Sequence, residues 1–173
     1  MENLIEKANN WKKAAAVLLE KSNLLNNLQE YGKVEIVGSY KYNLMTNGDI
    51  DIYVLNVNSD KNLAVSALNK LIDIGNFNGY LFYDWVKNRK EEFPSGYYVG
   101  LKAKIVNQKW KIDIWFLRDV VPELDGLSNL DDKKRNIILG MKSERDAKKL
   151  PISSYQIYDS VINRNAENIE NLQ

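Results

Sequence analysis

Residues Val37–Ile52 read VGSYKYNLMTNGDIDI, and the two aspartates at the end of this stretch decide how the chain is read. A strand points successive side chains to opposite faces, so residues two apart lie together, about 6–7 Å from each other. Asp49 and Asp51 therefore share one face while Ile50 and Ile52 share the other. The isoleucines mark the core side. On the opposite side, two carboxylates at that spacing repel by roughly 2–3 kcal/mol at an effective dielectric of about 20. A solvated strand face tolerates that cost. A divalent cation reverses its sign, and hard cations such as magnesium take oxygen ligands. From these two residues alone both readings stand.

A later segment, KWKIDIWFL (residues 109–117), repeats the arrangement, with Ile112 and Ile114 alternating with Lys111, Asp113 and Trp115. Should the two strands lie side by side in register, Asp113 joins Asp49 and Asp51 on one polar sheet face. Gly38-Ser39 precedes the first pair. A glycine directly after a strand allows a tight turn and close approach of a phosphate to the backbone amides, and Ser39 adds a hydroxyl. By itself a Gly-Ser is an ordinary turn. Its meaning comes from the combination.

Composition narrows the chemistry. The chain of 173 residues contains no cysteine and no histidine. Thiol nucleophiles, disulfides, Cys/His zinc sites and imidazole triads are therefore excluded. Lys plus Arg is 24 against 23 for Asp plus Glu, a net charge of +1, without the basic excess of a dedicated nucleic-acid binder. No apolar run approaches the ~20 residues of a membrane span, and MENLIEKANNWKK has no secretory-signal layout. The expectation is a soluble cytoplasmic protein.

The length suggests a single domain over residues 1–173, with a core at about 31–118 and a helical C-terminal extension at about 128–167. Residues 2–30 carry Leu4, Ala8, Trp11, Ala15, Leu18 and Leu25 at helical spacing. KVEIVGS and DIDIYVLNV read as strands separated by a polar segment, YKYNLMTNG. Asp60 is positioned to cap a helix over 61–74 with Leu68, Leu71 and Ile72 facing inward. GYLFYDWV is a further strand, and YYVGLKAKIV with KWKIDIWFL suggests a hairpin turning at Asn107-Gln108. Helices follow at about 129–148 and 153–166, and AENIENLQ is expected to fray. This order implies an α/β (α+β) domain, a mixed sheet with helices packed on one face.

With these elements in place, the sequence resembles the nucleotidyltransferase superfamily typified by DNA polymerase beta. Val37-Gly38-Ser39, a nine-residue spacer, Asp49-Ile50-Asp51-Ile52 and a later strand with Asp113 match its pattern over roughly residues 34–117. The resemblance implies a nucleotidyltransferase core extended by N- and C-terminal helices. It implies transfer of a nucleoside monophosphate from a nucleoside triphosphate, such as ATP, to an acceptor hydroxyl, with two magnesium ions and release of pyrophosphate. Gly38 and Ser39 would hold the triphosphate. Asp49 and Asp51 would ligate the metals, and Asp113 would ligate one metal and help deprotonate the acceptor. Many members carry an arginine soon after the Gly-Ser; this chain offers Lys41, a point charge without the bidentate fork. The near-neutral charge leans to a small-molecule acceptor, for which the helices after residue 128 or a homodimer partner would supply a second wall; RNA or protein is the other option. The alternative function is a binding or regulatory module without turnover, such as an antitoxin-like partner.

Other features have plainer readings beside sharper ones. Lys102, Lys104, Lys109 and Lys111 read first as cross-strand charge pairing on a solvated face, or else as phosphate contacts or counter-charges to the aspartates. Tyr40, Tyr42, Tyr97, Tyr98 and Trp115 read as packing before base stacking. Asp131 and Asp132 suit a helix start, and Lys142, Arg145, Lys148 and Lys149 suit its end, with a polyanionic acceptor as the sharper alternative.

Overall fold

The computed structural model describes residues 3–75, 77–90, 93–105 and 108–172. The chain divides into two compact units, one comprising residues 13–41 and 47–121, the other residues 1–12, 42–46 and 122–173.

The first unit is built on a five-stranded mixed sheet. Its strands are β1 (Lys33–Val37), β2 (Asp49–Leu55), β3 (Gly79–Asp84), β4 (Tyr97–Ile105) and β5 (Gln108–Leu117), in the order β1-β2-β5-β4-β3. Only β2 and β5 run parallel; the other neighbours are antiparallel. β4 and β5 form the expected hairpin pair; Gln108, expected in the turn, is the first residue of β5, and residues 106 and 107 lie outside the described residues.

One sheet face is dry. Ile50, Ile52 and Val54 of β2, Ile112, Ile114 and Phe116 of β5, and Val99 and Leu101 of β4 are all fully buried. The buried apolar helix residues described in this unit are Ala15, Leu18 and Leu19 of α1 (Leu4–Ser22), Leu24 and Leu28 of α2 (Leu24–Gln29), and Ala64, Ala67 and Leu71 of α4 (Lys61–Ile74). α2 packs beside β1, and α4 beside β4.

Several sequence expectations change in detail. The single helix over 2–30 is broken at Asn23, which adopts left-handed φ 50° and separates α1 from α2; asparagine tolerates that region because its short polar side chain bonds locally. α4 matches its expected span and starts at Asp60, whose carboxylate accepts from Leu63 N at 2.8 Å. Its buried stripe, however, is Ala64, Ala67 and Leu71, and Ile72 is exposed.

The second unit gathers the C-terminal helices α5 (Asp132–Lys148) and α6 (Ser154–Asn163) around Ile138, Leu139, Met141, Ile157, Tyr158 and Val161. Asp131 caps α5, and Ser153 with Gln156 forms a capping box on α6. Leu44, from the segment expected to be polar, is fully buried in this cluster, and Met45 is 1% exposed. AENIENLQ does not simply fray: Ala166 and Ile169 are buried, and residues 169–172 form a short 3-10 turn. Three of the four cations read at the basic end of α5 have partners within the unit. Lys142 is buried and donates to Leu44 O at 2.6 Å, Arg145 pairs with Asp146 at 2.7 Å, and Lys148 pairs with Glu144 at 2.6 Å. Those contacts favour the helix-end reading over a polyanion patch. Among the described residues, no helix is long and apolar enough to cross a membrane.

Candidate active site

The parity that buries the isoleucines fixes the opposite face. In the parallel β2–β5 pair, Asp51 stands directly opposite Asp113, Asp49 opposite Lys111 and Tyr53 opposite Trp115. All three aspartates therefore occupy one face of two adjacent strands. Across β5 the antiparallel register sets Lys109 against Lys104, Lys111 against Lys102, Asp113 against Gly100, and Trp115 against Tyr98. The face is graded along the strands, with lysines at one end, carboxylates in the middle and aromatics at the other.

Gly38 follows β1 and opens the four-residue helical turn α3 (Gly38–Lys41), which packs against β2. Its φ is +64°, and a Cβ there would stand 2.5 Å from Asp51 Oδ2. Both the backbone and the carboxylate thus require glycine. Ser39 lies in the same turn with Lys41, which is exposed, at its end. The sequence-predicted residues Gly38, Asp49, Asp51 and Asp113 are brought together by this register.

Asp113 is largely buried. Tyr98 Oη donates to its Oδ1 at 2.6 Å, and Lys111 Nζ donates to its Oδ2 at 2.5 Å. Lys111 Nζ also lies 3.9 Å from Asp49 Oδ1. The lysine is the local counter-charge to the aspartates. Burial acts to lower the Lys111 pKa, but Asp49, the hydrogen bond to Asp113, and the Asp113 and Asp51 charges raise it on balance. Burial pushes the Tyr98 hydroxyl above its ordinary range, and the bond to Asp113 and the three negative charges add to that.

Among the described residues, no three ligating side chains stand pre-arranged around a metal ion. The donor chemistry nevertheless fits a hard divalent cation: carboxylates stand on one face of two adjacent strands, and the absence of a side chain at Gly38 leaves room beside Asp51. The ammonium of Lys111 holds the charge balance that such a cation would take over.

Sequence reasoning missed two contributors. Tyr98 read as packing or a stacking ring, yet it positions Asp113. Gly100 makes this possible, since a Cβ there would lie 2.5 Å from Tyr98 Oη. A glycine inside an otherwise β-rich run, YYVGLKAKIV, was the available signal of close approach. Aromatic packing is also present: Tyr98 and Trp115 meet edge-on with centroids 5.1 Å apart, and Phe93 stacks on Trp115 at 5.9 Å. The plainer reading of cross-strand charge pairing holds for Lys111, which stands opposite Asp49 across β2–β5, whereas across β4–β5 Lys102 faces Lys111 and Lys104 faces Lys109.

No family model and no curated relative matches the sequence. Solved structures do. The chain is similar to the Cid1 poly(U) polymerase, with a TM-score of 0.62 and 18% identity over 87% of this chain and 48% of that one. It is also similar to the noncanonical poly(A) polymerase complex GLD-2–GLD-3, with a TM-score of 0.54 and 17% identity over 94% of this chain and 58% of that one. A third match is the GLD-2/RNP-8 complex, with a TM-score of 0.52 and 14% identity over 92% of this chain and 60% of that one. The chain has the nucleotidyltransferase fold. It spans about half to three-fifths of the length of these neighbours. Within the fold, the mixed sheet with its central parallel β2–β5 pair is the element that aligns Asp51 with Asp113.

Proposed function

We propose that the protein transfers a nucleoside monophosphate from a nucleoside triphosphate to an acceptor hydroxyl, with Asp49, Asp51 and Asp113 holding two magnesium ions. The observation that carries this reading is the pairing of Asp51 with Asp113 on parallel strands, with Asp49 two residues along the same face and Gly38 against Asp51. The fold shared with a poly(U) and a poly(A) polymerase supports nucleotidyl transfer in general. Gly38, Ser39 and Lys41 are assigned to the triphosphate.

Bound divalent ions would neutralise charge on the transferring group and acidify the acceptor hydroxyl. The chain's own residues do the rest. Asp113, oriented by Tyr98 and Lys111, receives the hydroxyl proton. The acceptor oxygen then bonds to the α-phosphorus as the bond to the leaving oxygen breaks, and pyrophosphate departs with that electron pair. Asp51→Ala tests the assignment: the variant should fold and lose magnesium-dependent labelling of an acceptor from each labelled triphosphate in a cell extract. Full labelling by the variant would refute it.

A second reading is a module without turnover, favoured by the Lys111 ammonium already bonded among the carboxylates. Thermal stability separates the two. A competent site gains about 2.7 kcal/mol from magnesium and ATP at a hundredfold excess over Kd, whereas an inert module gains nothing.

A further inference from the structure

Beside the carboxylates the sheet carries an open pocket of about 570 Å³ lined by Lys102, Lys104, Lys109 and Lys111, with Asp49 at its border. Four ammonium groups against one carboxylate give this pocket a local charge of +3, in a chain whose net charge is +1. Lys102 faces Lys111 and Lys104 faces Lys109 across the β4–β5 ladder. Like charges set directly opposite each other destabilise a sheet. Lys111 is engaged with Asp113, whereas Lys102, Lys104 and Lys109 are exposed and have no ion-pair partner among the described residues.

The location separates this charge from the donor side. Gly38 and Ser39 belong to the turn that packs against β2, with Gly38 beside Asp51, whereas Lys102 and Lys104 lie on β4, two strands beyond β2. With neighbouring strands about 4.8 Å apart, β2 and β4 are roughly 10 Å apart across the sheet. The two lysine rungs are two residues apart along the strand, about 6.7 Å. They form a short track of positive charge leading to the acids, suited to successive phosphates of one chain.

We propose that this pocket seats the backbone phosphates of a single-stranded polynucleotide whose terminal hydroxyl is the acceptor. The terminal-hydroxyl part rests on the transfer reading above; the phosphate site is tested without turnover. Binding of a fluorescein-labelled octariboadenylate to the full chain is followed by anisotropy. With three phosphate contacts, raising salt from about 50 to about 200 mM should weaken binding about 20-fold, and the Lys104→Gln/Lys109→Gln double variant should lower that to about threefold. The double variant should melt no lower than the parent, because it removes a like-charge rung. Stabilisation by magnesium–ATP should be unchanged in it, and a neutral methylphosphonate octamer should not bind. The proposal fails if the octamer does not bind, if the methylphosphonate analogue binds equally, or if the variant's affinity for ATP falls in parallel, which would make the pocket the donor's. Octamer binding that persists in a chain inert toward every triphosphate supports the pocket and sinks the transfer reading alone.

Discussion

Replacing Gly38 with alanine separates the backbone demand of the site from its chemical demand, because Gly75 provides a matched control. Both glycines have left-handed φ, +64° at Gly38 and +73° at Gly75. Placing an L-residue in that region costs about 1–2 kcal/mol, which for a chain of this size lowers the melting temperature by roughly 2–8 °C. Gly75→Ala adds little else, since the nearest atom to its new Cβ is Asp73 O at 4.0 Å. Gly38→Ala places its Cβ 2.5 Å from Asp51 Oδ2 and 3.2 Å from Asp51 Cγ. Because that carboxylate ends a short rotatable side chain, it yields rather than unfolding the turn, moving by about 0.5–1 Å to restore an ordinary contact. A displacement on the order of 1 Å at a catalytic ligand costs about 100-fold in rate. The two variants should therefore melt within about 1 kcal/mol of each other, while magnesium-dependent nucleotide incorporation collapses only in Gly38→Ala. Thermal melts followed by circular dichroism, paired with incorporation of labelled triphosphate, measure both. Equal turnover in the two variants would refute the placement of Asp51 at the reacting centre.

Two further outcomes follow from how Asp113 is held. Tyr98→Phe removes the 2.6 Å hydrogen bond to its carboxylate and should cost about 1.5–3 kcal/mol at neutral pH, measured by urea unfolding. Tyr98 and Lys111 both hold their protons more tightly folded than unfolded, so their contribution to stability is complete below their ordinary values of 10.0 and 10.5, starts to decline above them, and is lost as pH rises through their higher folded-state values. Tyr98→Phe should flatten that alkaline decline, and an unchanged slope between pH 9 and 11, on the order of these values, would contradict the Tyr98–Asp113 contact. Lys111→Met leaves the aspartates without their nearest ammonium, so the variant should be less stable without magnesium and gain more in melting temperature on adding it than the parent does. The same magnesium-dependent gain in both chains would mean that Lys111 and the cation do not share these carboxylates.

What the sequence disclosed and what it withheld divide along physical lines. Asp49-Ile50-Asp51-Ile52 disclosed its two faces because alternation is local, and Asp60 disclosed a helix start because capping is local. The break at Asn23 was hidden, since α1 and α2 both continue an apolar stripe and only the backbone turn separates them. Leu44 and Met45 looked like a loop because two apolar residues among polar ones have no period; the burial of Leu44 comes from residues far along the chain. Tyr98 concealed its role because the bond it makes depends on Gly100 lying opposite Asp113, a fact of register. The lysine rungs were misread for the same reason. Spacing alone placed Lys102 and Lys104 on one face but could not say that Lys111 and Lys109 would face them.

Register is also what makes the acid cluster affordable in energy. Setting Asp51 directly opposite Asp113, with Asp49 alongside, opposes folding by a few kcal/mol of repulsion at an effective dielectric of about 20. The same register buries Ile50, Ile52, Val54, Ile112, Ile114 and Phe116 completely on the other face. At about 1.5–3 kcal/mol per side chain, those six contribute on the order of 9–18 kcal/mol before chain entropy is counted. A slip of one residue in β5 would turn its isoleucines to the wet face and Asp113 into the core, losing most of that gain and burying a charge. The dry face therefore dictates the register, and the wet face inherits it. The six buried side chains set the register that brings the three carboxylates to one face, and Tyr98 and Lys111 then fix Asp113 within it.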